Sequence, residues 1–410
     1  MDRQHLMKRW KILFLQKRLL FPTDSGGKIR TLNILRHLAR WHDITYLCNL
    51  LPSEESHLHE MQSLGLTMVT IPWKEAPRGS LRFYGDLALN LCSSFPFNVN
   101  KDFDPRLRRK VNQLLESERF DLLICDFVQM ARNCLGFNQT AKLLFEHNVE
   151  SQIFQRHADS DCGMLRRFYM QLQANKMKRF EKLAGDDFDR VVAVSEQDRM
   201  SFQSLYDWQH VDVIETAVDT DYFHPQATPE TPHRCVFVGS MDWLPNEGGV
   251  LNFVDNIWPL IRARYADASF QIVGRNPPNS ILALDKKNGI HVTGSVPDVR
   301  PFMAQAQVVV IPLLVGGGTR LKVFEAMAMG KPIVSTSLGV EGLLVVDDEN
   351  ALLADTPVEF VEKVSRMFES VDLRRRLTDR AFDMVLERYS TEPIARQFEA
   401  ICLATIESRK

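Results

Sequence analysis

Residues 315–332, VGGGTRLKVFEAMAMGKP, set three glycines, a threonine and two cations ahead of a short helical run. Gly316, Gly317 and Gly318 would let a bound group approach the backbone closely. Thr319 is of a type that caps helices. Arg320 and Lys322 fall in the first turn, with Glu325 three residues on. A helix N-terminus already carries unpaired N–H groups and about half a positive charge. Two further cations oppose that dipole, so an anion bound between them is the economical explanation, and the stretch reads as a phosphate site. Apolar β-branched runs at 308–311 and 333–336 flank it. The order strand, glycine loop, helix, strand puts the glycines at the carboxyl end of a strand, where open α/β sheets bind ligands.

Other residues invite the same question. Gly26 and Gly27 follow a strand-like run and precede a helical one, flanked by Asp24 and Lys28. His147 follows another strand-like run, in EHNVES, between Glu146 and Asn148. Asp242, Trp243 and Asn246 cluster in a loop, where Trp243 either covers the core or faces a ligand. Ser195 and Glu196 end a strand, and Ser195 suits a helix cap. Two D-x-D strings occur, at 187–189 and 219–221. Two isolated carboxylates make a poor metal site, and no metal is expected. Lys322 and Glu325 are neighbours on one helix face, so a surface ion pair is the alternative to a ligand site.

The elements that must position these residues alternate. Strands are expected at 11–15, 44–48, 67–71, 122–126, 142–146, 190–195 and 211–214, with helices at 29–41, 54–64, 104–118 and 165–183 between them. A second series has strands at 235–238, 270–273, 291–293, 308–311, 333–336 and 351–354. Its helices are expected at 250–265, 299–305, 320–329, 357–370, 372–388 and 391–408. Such alternation predicts an α/β fold with parallel, helix-covered sheets. The Pro- and Thr-rich segment 216–233 reads as a linker between domains at 1–215 and 234–390. The helix after 390 is expected to pack back on the first domain. Two doubly wound, Rossmann-like domains facing across a cleft would form a ligand site between strand ends.

Composition narrows the class. A chain of 410 residues with 45% apolar and 25% charged residues is an ordinary globular protein that can bury a full core. A net charge of −2 gives no argument for nucleic acid. The seven cysteines lack CxxC spacing and read as reduced core thiols, which points to a cytoplasmic protein. No apolar run reaches the ~18 residues that a spanning helix needs.

The strings PTDSGGKIRTLNILRHLA, FEHNVES, VVAVSEQDR, VDTDYF, VFVGSMDWLPN, FQIVGR, HVTGSVPDVRPF and GGGTRLKVFEAMAMGKPIVST run in order from residue 11 to about 345. In that order the chain resembles GT-B glycosyltransferases of the family-4 retaining group, and within it bacterial transferases of exopolysaccharide clusters. The resemblance implies transfer of a hexose from a UDP-, GDP- or ADP-sugar to a saccharide or polyprenyl-linked acceptor, with retention and without metal. It implies that Glu325 binds the ribose hydroxyls, a task suited to a carboxylate that accepts two bonds from a diol. By the same resemblance His147 hydrogen-bonds a sugar hydroxyl, Gly26 and Gly27 approach donor phosphates or acceptor, and the base lies against Gly294, Ser295 and Val296.

Two departures from the family pattern stand out. The first of two glutamates usual in the glycine stretch would fall at 317, which is Gly317. The Arg and Lys-Gly usual after the second domain's first strand are replaced by Ser240, Met241 and Glu247-Gly248. The diphosphate charge must then be met by Arg320, Lys322 and the backbone at Gly239, Ser240, Gly318 and Thr319. Basic runs at 106–110 and 166–182, with Lys8 and Arg9 and the interleaved Phe168 and Tyr169, suggest contact with an anionic membrane surface. Rival readings are a nucleotide-sugar epimerase or hydrolase of the same fold, and a non-catalytic nucleotide-sugar-binding subunit.

Overall fold

The computed structural model describes residues 8–23, 25–77, 79–159, 163–315 and 321–409. The chain forms two compact units, one of Met1–Glu215 with Ile394–Lys410 and one of Thr216–Pro393. We call them unit 1 and unit 2.

Unit 1 is built on seven strands: β1 (Lys11–Gln16), β2 (Asp43–Leu50), β3 (Thr67–Pro72), β4 (Leu122–Asp126), β5 (Ala141–Phe145), β6 (Arg190–Ala193) and β7 (Val211–Val213). Their order is β3-β2-β1-β4-β5-β6-β7, and every pair is parallel. The chain winds outward from β1 to β3, then returns to β4 and winds the other way. The direction reverses between β1 and β4, the switch point where doubly wound sheets open a crevice. β4 shows why the sheet forms. Its sequence, LLICD, is buried at all five positions, as expected of a strand covered on both faces by helices.

Unit 2 repeats the plan with β8 (Arg234–Val238), β9 (Ser269–Val273), β10 (Ile290–Gly294), β11 (Val308–Ile311), β12 (Ile333–Ser335) and β13 (Leu352–Leu353). Their order is β10-β9-β8-β11-β12-β13, again wholly parallel. Its switch point lies between β8 and β11.

Several elements differ from the sequence reading. The helix expected over 250–265 begins earlier, at Leu244, and carries a π turn at Phe253–Ile257 before resuming as Trp258–Arg264. Pro259 sits just after that turn and has no N–H to donate, which favours a local change of hydrogen-bond register. The helix expected over 54–64 is a 3-10 segment, Pro52–His57, followed by a short α-helix, Leu58–Gln62.

The helix Thr391–Glu407 follows unit 2 in sequence yet is packed into unit 1. Phe398 lies 5.1 Å from the ring of Phe145, and Glu399 accepts from His42 Nε2 at 2.9 Å. Arg409 donates to Asp189 at 2.8 Å.

Candidate active site

Each switch point carries a polar cluster. In unit 1, Gln16 closes β1 and Asp126 closes β4, and Gln16 Nε2 donates to Asp126 Oδ2 at 2.6 Å. Thr31, on the helix Gly26–Trp41, donates to the same oxygen at 2.7 Å. His147 Nε2 meets Asp126 Oδ1 at 2.6 Å, and His147 Nδ1 meets Arg30 Nη1 at 2.9 Å. Arginine only donates, so Nδ1 accepts and Nε2 carries the ring proton. Burial lowers the histidine's proton affinity, against the pull of Asp126, and the ring is neutral at pH 7. Burial also brings the Arg30 guanidinium down to about 10, which still leaves it charged.

This arrangement corrects the role expected for His147. The residue is only 4% exposed and both its nitrogens are engaged within the protein, so it offers no ring nitrogen to a sugar hydroxyl here. It instead links Asp126 to Arg30. Glu146 is buried beside Glu181 and Glu150, and burial pushes its carboxyl well above the usual range.

Gly26 and Gly27 are the first two residues of the helix rather than a turn before it. A side chain on Gly27 would come within 2.6 Å of the Phe127 ring, which stacks on His147 at 4.0 Å. Phe127 has φ 70°, a left-handed conformation that bulky residues rarely adopt. Gly27 thus makes room for a ring that covers the histidine. Asp24 lies outside the described residues.

In unit 2 the carboxyl ends of β10, β9, β8 and β11 lie side by side. Gly294 ends β10 with φ 67°, followed by exposed Ser295 and half-buried Val296. Its carbonyl accepts from Gly274 N, beyond β9, at 3.3 Å. Gly239, beyond β8, donates to Val273 O at 3.0 Å. After β11 comes the helix Leu321–Ala328, with Lys322 in its first turn. Lys322 Nζ donates to Asn246 Oδ1 at 2.6 Å and lies 4.5 Å from the Phe237 ring. Asn246 is itself buried, and its Nδ2 donates to Ser240 O at 2.7 Å. Trp243 is 39% exposed, with its ring 5.9 Å from Lys322 Nζ, so it borders this cluster rather than the core.

Glu325 stands one turn beyond Lys322. Its carboxylate accepts no side-chain hydrogen bond from any described residue, and burial lifts it to about 7, with Lys322 opposing. Gly316, Gly317, Gly318, Thr319 and Arg320 lie outside the described residues.

Lys322, Glu325, Gly239 and Ser240 are therefore brought to one switch point, with Gly294–Val296 two strands away. Asn246, Arg275, Asp126, Arg30 and Phe127 belong to these clusters and were not assigned roles from sequence. A signal was present for one of them: Asp126, like Gln16, is a polar residue closing an apolar strand. Three of the four D-x-D carboxylates serve structure. Asp187 accepts from Lys142 Nζ at 2.6 Å, Asp189 from Lys142 N at 2.7 Å, and Asp219 from the backbone of Tyr222 at 3.0 Å. Ser195 caps its helix, accepting from Asp198 N at 3.1 Å.

Two doubly wound parallel sheets, each with polar groups at its switch point, offer ligand sites at their strand ends, and similarity to known proteins supplies the class. The model of Glycosyltransferase Family 4 matches residues 25–222, and that of Glycosyl transferases group 1 matches 232–370. The chain belongs to the family-4 glycosyltransferases of GT-B fold. It is 22% identical over 403 residues to an uncharacterised 44.6 kDa protein in the cps region of Klebsiella pneumoniae, covering 94% of this chain and 97% of that one. Among solved structures, sucrose-phosphate synthase from Thermosynechococcus elongatus is similar with a TM-score of 0.67 at 15% identity, over 98% of this chain and all of that one. HepE of Anabaena, solved in complex with UDP-glucose, is similar with a TM-score of 0.64 at 14% identity, over 98% of this chain and 100% of the other.

Proposed function

We propose that this glycosyltransferase moves a hexose from a nucleoside diphosphate sugar to a saccharide or lipid-linked saccharide, with retention, in the synthesis of a surface or secreted polysaccharide. The observation that carries the reading is the convergence of Gly239, Ser240, Lys322 and Glu325 at the unit 2 switch point. Glu325, whose carboxylate accepts no side-chain hydrogen bond from any described residue, is suited to a ribose diol. Lys322, held by Asn246 and Phe237, supplies a fixed cation for the diphosphate. Gly294, Ser295 and Val296 offer backbone groups to the base.

The bond from the anomeric carbon to the phosphate oxygen breaks, and the bond to the acceptor oxygen forms. The acceptor proton passes to the leaving diphosphate. Negative charge grows on that diphosphate, and preorganised cations stabilise it without reorganising. No metal is needed for this step, since Lys322 and the backbone meet the charge.

The acceptor is assigned to unit 1. A cavity of about 320 Å³ opens beyond β3, lined by Trp73, Phe83, Phe97 and Phe103 with Lys74 and Arg82. Aromatic faces suit a sugar ring, and the lining mixes Lys74, Arg82 and Lys101 with Glu75 and Asp86, edges that can hydrogen-bond sugar hydroxyls. The helix Leu81–Leu91 lines it and also exposes Leu81, Tyr84 and Leu89, which favours a lipid-linked acceptor.

The deciding experiment measures nucleoside diphosphate release from UDP-, GDP- and ADP-sugars with and without lipid-linked acceptor extract, with the anomeric configuration of the product read by NMR. Acceptor-dependent release is expected, lowered at least about tenfold in Lys322→Ala and in Glu325→Ala, or ~1.4 kcal/mol of transition-state stabilisation. Release without acceptor would favour a hydrolase. Donor binding with no release would favour a binding subunit.

A further inference from the structure

We propose that Arg275 binds the donor diphosphate, and that Arg275 and Lys322 form a cation pair across Gly239 in place of the Arg and Lys-Gly that the sequence lacks after β8. The inference rests on the reading of unit 2 as a nucleoside-diphosphate site and assigns it a residue.

Arg275 is the second residue beyond β9, and its turn is locked to the one beyond β8. A side chain on Gly274 would lie 1.7 Å from Gly239 O, so the two backbones are in direct contact. Met241 N donates to Arg275 O at 2.9 Å and fastens the loops further on. The Arg275 side chain is anchored as well, since its Nε donates to Ser240 Oγ at 3.0 Å. From Ser240 the contacts run through Asn246 to Lys322, at 2.7 and 2.6 Å. Two cations from different strands are thus tied to one loop.

The terminal nitrogens of Arg275 make no hydrogen bond or ion pair with any described residue. Asp242, the nearby acid, is engaged by Ser240 and by Asn276 Nδ2, the latter at 2.9 Å, and forms no ion pair with Arg275. A guanidinium held by Nε presents its remaining edge in the fork that matches two phosphate oxygens. Beside Lys322 the backbone carries no side chain at Gly239. A Cβ on Gly239 would meet Asn246 Nδ2 at 2.8 Å and Lys322 Nζ at 3.0 Å, so a side chain there would displace the lysine from its anchored position.

The test titrates the full chain with UDP, GDP and ADP and with the matching nucleosides at millimolar concentration, by calorimetry. The nucleotide that wild type prefers becomes the probe. Arg275→Ala is expected to weaken that diphosphate at least about tenfold and to leave the nucleoside unchanged, with Arg275→Lys recovering part of the loss. Glu325→Ala is expected to weaken both ligands, because it acts on the ribose. An unchanged melting temperature checks that the exposed Arg275 is not needed for folding. If Arg275→Ala binds the diphosphate as wild type does, or loses nucleoside and diphosphate equally, Arg275 is not a phosphate ligand and the donor reading stands. If wild type binds none of the three nucleotides, the donor reading falls and this assignment falls with it.

Discussion

Burial lifts the Glu325 carboxyl to about 7, against the opposing pull of Lys322, so near neutrality a change of one pH unit alters how much carboxylate is available to accept hydroxyl bonds. If Glu325 holds the ribose, donor affinity rises with pH, by about tenfold from pH 6 to pH 8, and Glu325→Gln flattens the profile. A nucleotide sugar is the right probe because its diphosphate has no group titrating in that window. The sign for stability is opposite. The folded protein keeps a proton that the unfolded chain releases above about 4.5, so this residue's contribution falls as pH rises from there through 7. In unit 1, Asp126 holds Gln16, Thr31 and His147 at once. Removing one partner from a buried charged network costs about 3–5 kcal/mol. Asp126→Ala should therefore lower the unit 1 melting transition by at least ~6 °C in calorimetry.

The elements were largely legible because both sheets are wholly parallel. A strand buried on both faces is an unbroken apolar run, and β4 and β11 are such runs. What stayed hidden depends on contact between distant segments. Nothing in GGK says that Gly27 lies under a phenylalanine a hundred residues away, and the sequence puts the glycines ahead of the helix rather than within it. Nothing in FQIVGR says that its last two residues abut the β8 loop. His147 was read as a sugar ligand because its surroundings, Arg30 and Asp126, come from other strands and helices. The Gly274–Gly239 contact gives a check at this scale. Gly274→Ala cannot be accommodated without moving the β8 or β9 turn, and overpacking of this kind costs about 1–3 kcal/mol. Nucleotide affinity should fall with stability in this variant, whereas Gly248→Ala, with open space around its Cβ, should change neither.

For the whole molecule, the described residues contain no helix long and apolar enough to cross a membrane. The basic runs marked in the sequence prove mostly engaged. Arg106 pairs with Asp104 at 2.9 Å, Lys182 with Asp186 at 2.9 Å, and Lys176 donates to Asn90 O at 2.7 Å. Among the exposed apolar residues are Met164, Leu165 and Phe168 on one helix and Leu81, Tyr84 and Leu89 on another, with Arg82 and Arg166 beside them in sequence. A surface that touches lipid should be this one. Cosedimentation with vesicles containing anionic lipid is expected for wild type and lost when Leu81, Leu89 and Phe168 are changed to serine. Equal binding by both would remove the surface from consideration.

The placement of the helix Thr391–Glu407 has a consequence for how the protein comes off the ribosome. Its Phe398 and Glu399 complete the first unit beside Phe145 and His42, yet they are translated only after the whole of the second. At roughly 5–20 residues per second, the wait between Glu215 and Ile394 is on the order of ten to forty seconds. Over that interval the nascent first unit has an uncovered face, while the contiguous second unit can close as it emerges. A message broken before the codon for Ile394 would therefore yield a chain whose first unit is unfinished, and such a chain is a ready substrate for chaperones and proteases.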